Sequence, residues 1–277
     1  MSSAPKIPRF QTALPESEEV LEEIREIVFQ RSGIFLDQSK NYLIENRLKA
    51  RLAKLQMNSL AEYLRVIRAD AEELAKCIES ITTHKTEWFR EIVHFQWLKT
   101  ELPKLKNSGK PLFFWSAAAS SGQEAYSLML FLVRQGLCHN DFKILGTDIS
   151  RPILAKAQSL PQEAEFAEQV HLMLARSPNR DWEQRELELT LNSSIKFRQF
   201  NLIEDDNLDL KFHLIFLRNV LIYFSRPVVI EVCKKMCRHL KPGGFLIIGL
   251  SESLGSEIPE LVFLGNSIYQ FAPRRPE

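Results

Sequence analysis

The chain has 277 residues, of which 45% are apolar, and this is enough for a substantial core and roughly two domains. Its 36 lysines and arginines nearly balance 35 aspartates and glutamates, which argues against a protein that coats nucleic acid. The four cysteines form no CxxC pair, so we expect reduced thiols and a cytoplasmic protein. No apolar stretch approaches the ~18 residues of a membrane span, so no membrane insertion is expected.

The first part of the chain predicts a short tail and then a small all-helical domain. Residues 1–15 carry prolines without periodicity and are interpreted as a flexible tail. Residues 16–80 predict four helices. Polar residues that favour helix N-caps stand before three of the apolar periods, namely Ser17, Ser59 and Asp70.

The second predicted helix, about Lys40 to Gln56, carries four cations spaced 7, 4 and 3 residues apart. This spacing aligns them on one helical face. The face is either an ordinary solvated surface or a docking surface for an acidic partner. The cations of this basic face are Lys40, Arg47, Arg51 and Lys54.

The rest of the chain predicts an α/β domain. Residues 81–110 are expected to form a linker and a helix that ends before Gly109-Lys110-Pro111. Residues 111–277 alternate apolar runs with helical periods, which is typical of a mostly parallel sheet. A polar region at about 159–193 is interpreted as an insertion, and Lys241-Pro242-Gly243-Gly244 as a turn into the fifth strand. The predicted strands are 112–117, 143–147, 195–200, 214–217 and 245–249, and 261–264 with 268–271 form an antiparallel C-terminal hairpin.

The stretch FFWSAAASSGQEAYS (113–127) is the strongest candidate for a ligand site. An apolar strand leads into small residues, turns at Gly122 and enters a helix at Glu124. Ligands of open α/β sheets bind beyond the carboxyl ends of the strands. A single glycine is poor support for a pyrophosphate, so a nucleoside cofactor without phosphates fits better than NAD or FAD. S-adenosylmethionine (SAM) is the leading candidate, because Glu124 could meet its amino group.

Asp148, at the end of the second predicted strand, is placed to accept hydrogen bonds from the ribose of such a cofactor. The alternative is that Asp148 only caps the following helix. The six histidines show no spacing typical of metal ligands, so no metal site is expected. The segment Gly249-Leu250-Ser251-Glu252-Ser253 lacks the second glycine of a nucleophile elbow.

Six segments of the chain resemble the CheR family of chemotaxis receptor methyltransferases. Their order and spacing match across nearly the whole chain, and the segments LRNVLIYF and WSAAAS carry the most specific likeness. The six are TTHKTEWFRE (82–91), WSAAASSGQEAYS (115–127), GTDIS (146–150), FNL (200–202), FHLIFLRNVLIYF (212–224) and LKPGGFLIIGLSESL (240–254).

The resemblance implies a SAM-methyltransferase fold of Rossmann type, preceded by a small all-helical N-terminal domain. It also implies an enzyme that transfers methyl groups from SAM to receptor glutamates, leaving S-adenosylhomocysteine. The implied partner is the cytoplasmic region of a chemoreceptor or a similar signalling protein, and the chain is expected to be monomeric. The implied catalytic residues are Arg90, Arg218 and Tyr223. The implied cofactor-binding residues are Thr86, Arg90, Ala118, Glu124, Asp148, Asn201, Leu202, Arg218 and Asn219.

The chain departs from the family pattern at three places. His84 stands where the family has asparagine, and Gln123 stands where it has the first of two acids. The 159–193 region corresponds to a small β-subdomain that in some members binds a receptor tail peptide, but it lacks the glycine-rich, aromatic composition of that subdomain. These departures keep two alternatives open: a SAM-binding regulator or scaffold that does not methylate receptors, and a methyltransferase with another target.

Overall fold

The structure, a computed structural model, describes residues 17–107, 109, 111–175, 177–206 and 208–273. The predicted tail 1–15 and Lys110 lie outside the described residues. Two compact units are present. One contains Leu36–Thr82 and the part of the first helix up to Gln30, and the other contains Arg31–Phe35 and the described residues from Thr83 onward.

The first unit is helical. Its helices are α1 (Glu18–Ser32), α2 (Asn41–Leu55), α3 (Leu60–Ala69) and α4 (Ala71–Ile81). The caps form as the sequence predicts, because Ser59 accepts a hydrogen bond from the Glu62 amide and Asp70 accepts from the Glu73 amide. The core of this unit includes fully buried Ile24, Ile44, Leu48 and Tyr63.

The second unit contains a seven-stranded sheet in the order β3-β2-β1-β4-β5-β7-β6, counted over the described residues. The strands are β1 (Leu112–Ser116), β2 (Phe142–Asp148), β3 (Ile195–Gln199), β4 (Phe212–Leu217), β5 (Leu240–Ile248), β6 (Leu261–Gly265) and β7 (Ile268–Phe271). Strands β1 to β5 pair in parallel, whereas β7 pairs antiparallel with β5 and with β6. The predicted parallel sheet and its C-terminal hairpin are therefore confirmed.

Helices cover the sheet, and alternate residues of the central strands enter two separate apolar clusters. Phe114 of β1 and Phe216 of β4 belong to one cluster, while Trp115 and Ile215, one position away, belong to the other. Both faces are thus covered, which explains the continuous apolar run of β4. The helices are α5 (Ile92–Asn107), α6 (Gln123–Arg134), α7 (Arg151–Ser159), α8 (Ala164–Leu174), α9 (Arg180–Ser193) and α10 (Arg226–His239).

The 159–193 region folds into α8 and α9, and its described residues contain no strand. Tyr126 of α6 packs its ring 5.5 Å from that of Phe166 on α8. Arg134 of α6 donates to Glu183 of α9 at 2.8 Å. Helices α8 and α9 thus each pack one face on α6 and expose the other to solvent. This explains why the 159–193 region is polar in composition.

The predicted turn at Lys241–Gly244 is wrong, because these residues lie within β5. Leu240 already pairs with Phe212 of β4, and pairing resumes at Leu214 with Phe245 after a register shift. The segment is therefore a bulge, and Gly243 adopts a φ of +78° within it.

No helix in the described part of the chain combines the length and the apolar composition that crossing a membrane would require.

Candidate active site

The loop between β1 and α6, residues 117–122, lies at the carboxyl edge of the sheet. The Ala117 amide donates to the carbonyl of Phe216 in β4, and the Ala119 amide donates to the carbonyl of Thr147 in β2, both at 2.8 Å. Gly122 has a φ of +97°, and a Cβ there would lie 3.0 Å from the Cβ of Ala157. The glycine thus permits a left-handed turn packed tightly against α7.

Asp148, the last residue of β2, faces this loop and is buried. Its Oδ2 accepts from the Ser120 amide at 2.9 Å, and its Oδ1 accepts from the Ser150 amide at 3.1 Å. Burial raises the pKa of Asp148, although these amide hydrogen bonds and the nearby His84 act to lower it. The cap of α7 is instead Ser150, whose hydroxyl accepts from the Ile153 amide. Capping α7 is therefore not the role of Asp148.

Two buried polar atoms near this carboxylate have no hydrogen-bond partner among the described residues. They are the Ser120 hydroxyl oxygen and the His84 Nε2. A buried polar group without a partner costs about 1–3 kcal/mol, so such groups are usually satisfied by a ligand or water. The vicinity of Asp148 therefore suits a ligand that presents hydroxyl groups. His84, the departure from the family asparagine, belongs to this part of the site.

Glu124, in the first turn of α6, forms a buried pair with Arg218 at the end of β4. Its Oε2 accepts from Arg218 Nε at 2.7 Å, and its Oε1 accepts from the Ser116 hydroxyl at 2.6 Å. The Arg218 side chain is only 1% exposed and lies over the Phe216 ring at 4.8 Å. An enclosed guanidinium has no open side for a substrate carboxylate. In this structure the Arg218 guanidinium therefore holds Glu124 in place, and a direct role of Arg218 in catalysis stays a prediction.

Arg218 also organises the segment that leads into α5. Its Nη1 donates to the Arg90 carbonyl at 2.7 Å and lies 3.0 Å from His94 Nδ1. Because Nδ1 accepts there, His94 carries its proton on Nε2 and donates to the Asn266 carbonyl at 2.9 Å. Burial lowers the pKa of His94, which favours this neutral form. Sequence reasoning missed this role of His94, since 124 positions separate it from Arg218.

Two further carboxylates missed by the sequence analysis fix the turns after β4 and β5. Glu252 is buried and accepts from the amides of Gly249 at 2.6 Å, Asn219 at 2.9 Å and Ile222 at 3.2 Å. Glu91 accepts from the Asn219 side-chain amide at 3.2 Å and from the Leu250 amide at 3.1 Å. For Glu252 the signal in the sequence was an acid soon after the buried apolar run of β5, whereas no local pattern marked Glu91.

Strained backbone concentrates in these loops. A positive φ in a residue other than glycine costs free energy and often marks a functional site. Such residues adjoin Asp148, Arg218 and the segment before α5. They are Phe89 (50°), Glu91 (55°), Ser120 (50°) and Asn219 (56°).

Of the other residues predicted from the resemblance, Ala118 and Tyr223 lie in the loops after β1 and β4, and Thr86 and Arg90 lie in the segment before α5. Arg90 is partly exposed, and its Nη1 donates to the Lys85 carbonyl at 3.1 Å. Tyr223 is partly exposed, and its carbonyl accepts from the Phe35 amide at 2.7 Å. Thr86 and Ala118 are also partly exposed.

Asn201 and Leu202 follow β3. The Asn201 side-chain amide donates to the Arg31 carbonyl at 2.7 Å, and its oxygen accepts from the Ile203 amide at 3.0 Å. Leu202 is buried. The Asn201 side chain therefore stabilises the loop after β3. Contact with a cofactor adenine would then be made by the Asn201 backbone and by Leu202.

In the helical unit, one cation of the predicted basic face, Arg51, forms an internal ion pair. The Arg51 guanidinium binds both oxygens of Glu73, at 2.7 and 2.5 Å, and Tyr63 donates to the same carboxylate at 3.0 Å. The Glu73 side chain is 5% exposed, so this pair belongs to the interior. Arg47 and Lys54 are exposed and Lys40 is partly exposed, and Arg47 also donates to the Thr82 carbonyl at 3.4 Å.

The geometry above can be compared with known proteins. Residues 84–266 match the family described as "CheR methyltransferase, SAM binding domain", and residues 19–82 match "CheR methyltransferase, all-alpha domain". The chain belongs to the CheR methyltransferase family. It is therefore a SAM-dependent methyltransferase, and the cofactor prediction is confirmed.

The curated relatives agree with this assignment. "Chemotaxis protein methyltransferase 1" of Vibrio cholerae is 34% identical over 88% of this chain and 92% of its own length. "Chemotaxis protein methyltransferase" of Vibrio anguillarum gives the same values. "Chemotaxis protein methyltransferase 2" of Pseudomonas aeruginosa is 32% identical over 91% of this chain and 92% of its own length.

Proposed function

We propose that this CheR-family protein methylates glutamate side chains in the cytoplasmic region of a chemoreceptor and forms γ-glutamyl methyl esters. The observation that carries the proposal is the set of buried polar groups at Asp148, Ser120 and His84, which suits a nucleoside, next to the Glu124–Arg218 pair. The names of the relatives supply the chemotaxis setting.

The residues present fit SAM. Asp148 would hold the ribose hydroxyls, with the unpartnered Ser120 hydroxyl and His84 Nε2 as further polar contacts. Glu124 would hold the methionyl ammonium, since a carboxylate oxygen can accept more than the one hydrogen bond that each Glu124 oxygen now receives. When bound, SAM supplies an already activated methyl group on its sulfonium.

The chain's own task is then to position the acceptor. A glutamate carboxylate is ionised at neutral pH, so no strong general base is required. Arg90 is partly exposed and adjoins the Arg218 network through its carbonyl, so its guanidinium is the cation that would orient the acceptor carboxylate. The Tyr223 hydroxyl would orient the same group from the turn after β4.

The test is incubation of the protein with methyl-labelled SAM and membranes that carry a chemoreceptor from the same genome. The proposal expects label on the receptor that mild base releases as methanol, because methyl esters are base-labile and N-methyl groups are not. Tight SAM binding by calorimetry without receptor label would instead support the alternative of a SAM-binding scaffold.

A further inference from the structure

Residues 84–91 form a segment without helix or strand just before α5. The segment carries three of the proposed cofactor contacts, namely His84, Thr86 and Arg90. A segment of this kind keeps one conformation only where other elements hold it, because ordering each residue costs conformational entropy. Its attachments to the rest of the domain therefore decide how well its polar groups are placed for a ligand.

The C-terminal half of the 84–91 segment is attached to three other parts of the domain. The Phe89 amide donates to the buried Ser127 hydroxyl of α6 at 2.9 Å. The Arg90 carbonyl accepts from Arg218 Nη1 at 2.7 Å. Glu91 accepts from the amide of Leu250, after β5, at 3.1 Å. All three attachments lie at or after residue 89, so they hold the end of the segment that is farther from residues 84 and 86.

The N-terminal half is attached through Trp88 to helix α8. The indole Nε1 of Trp88 donates to Glu165 Oε1 at 2.5 Å, and the ring lies 6.0 Å from that of buried Phe166. Glu165 is in the first turn of α8, where the helix dipole favours a carboxylate. No second hydrogen bond from residues 84–88 reaches another helix or strand of the described chain, since the Lys85 carbonyl accepts from Arg90 within the segment itself.

A hydrogen bond to an ionised acceptor is stronger than one between neutral groups, so the Trp88–Glu165 contact is suited to fix this half of the segment. The residues it fixes include His84, whose Nε2 is buried without a partner and whose ring is close enough to Asp148 to act on the pKa of that carboxyl. A polar group that is already in place before a ligand arrives lowers the ordering cost of binding.

We propose that Trp88 and Glu165 are positioning residues of the cofactor site. Through their hydrogen bond, α8 holds the part of the segment that carries His84 and Thr86 in the conformation that binds SAM. Trp88 acts through these two neighbours and not by touching the cofactor. The inference rests on the placement of SAM given under the proposed function, and it gives part of the 159–193 region a role in cofactor affinity.

The experiment is titration calorimetry with SAM on Trp88→Phe, Glu165→Ala and the double variant. Phenylalanine keeps an aromatic ring beside Phe166 and removes the N–H donor. We expect each single variant to raise the Kd about three- to tenfold, and the double variant to raise it no further, because both changes remove the same bond. Glu165→Gln keeps an acceptor oxygen and should stay within about twofold of wild type. Glu168→Ala on α8 and Trp182→Phe on α9 are matched controls at exposed positions, and they should leave the Kd unaltered.

Two readouts separate positioning from a general loss of stability. Amide hydrogen exchange in Glu165→Ala should accelerate over residues 84–88, while the exchange of the sheet and the melting temperature stay at their wild-type values. In the methylation assay the KM for SAM should rise by the same factor as the Kd, with kcat at saturating SAM unchanged.

Single variants that bind SAM as tightly as wild type would overturn the inference and leave the proposed function intact. Losses that add in the double variant, or an equal loss in Glu168→Ala, would also overturn it, because the effect would then not depend on this one bond. Unchanged exchange over residues 84–88 would have the same consequence. If wild-type protein binds no SAM, the proposed function fails, and the inference fails with it.

Discussion

Replacement of Asp148 by asparagine tests the cofactor site with little change of shape. Each carboxylate oxygen accepts one backbone amide, from Ser120 or Ser150, and keeps capacity for one more hydrogen bond. A ribose diol can supply both. Hydrogen bonds to a charged group contribute about 1.5–3 kcal/mol each. Asp148→Asn keeps one acceptor oxygen and loses the charge, so we expect SAM binding to weaken by about 2 kcal/mol, or about thirtyfold.

Titration calorimetry with SAM measures this effect directly. Asp181→Asn serves as the matched control, because Asp181 is exposed in the first turn of α9 and the same change there should leave the Kd unaltered. An Asp148→Asn variant that binds SAM as tightly as wild type would refute the assignment of Asp148 to the ribose.

The same variant also tests the ionisation of Asp148 in the unliganded fold. Burial raises the pKa of Asp148 above its ordinary value of 3.8, so the folded chain binds this proton more readily than the unfolded chain does. The contribution of Asp148 to the free energy of unfolding therefore falls as the pH rises from about 4 through the raised pKa. At neutral pH the ionised carboxylate still lowers the stability of the fold. Urea unfolding should find that the stability of Asp148→Asn relative to wild type rises as the pH rises from about 4 to neutral. A relative stability that does not change with pH would contradict this reasoning.

Three further predictions concern cations of both units. Arg218→Lys should fold but lose most methylation and weaken SAM binding, because a lysine cannot replace the guanidinium contacts on three sides; unchanged activity would count against this network. Arg51→Ala should destabilise the fold by about 3 kcal/mol in urea unfolding, since it leaves buried Glu73 with only the Tyr63 hydroxyl and Lys76 at 3.9 Å among the described residues, whereas exposed Lys54→Ala should have no measurable effect. Arg51 lowers the pKa of Glu73, so this stabilisation should disappear as the pH falls below about 4, and a difference that persisted there would be inconsistent with the pairing. Reversal of Arg47 and Lys54 to glutamate should raise the KM for receptor with SAM affinity unchanged; equal KM values would assign this face to solvent alone.

The sequence allowed the fold to be predicted wherever local periodicity carried the information. Strand β4 is buried at every position and apolar at all but His213, and Ser59 and Asp70 cap the helices they precede. The bulge at Lys241–Gly244 was missed, since a proline and two glycines signal a turn unless the pairing partner is known.

The site was predicted less completely, because its contacts join distant parts of the chain. Asp148 could be expected near the loop from the order of parallel strands alone. The links of Arg218 to Glu124 and His94 span 94 and 124 positions, and no local pattern encodes them. Arg51 shows a related limit, since helical spacing does not reveal which cation on a face meets a buried carboxylate.

Tandem mass spectrometry of the chemoreceptor after incubation with the protein and SAM tests the central proposal most directly. The account predicts methyl esters on glutamate side chains of the cytoplasmic region, absent when SAM is omitted and strongly reduced with Asp148→Asn at limiting SAM. Methyl groups on other residue types, or an unmodified receptor in the presence of protein that binds SAM, would contradict it.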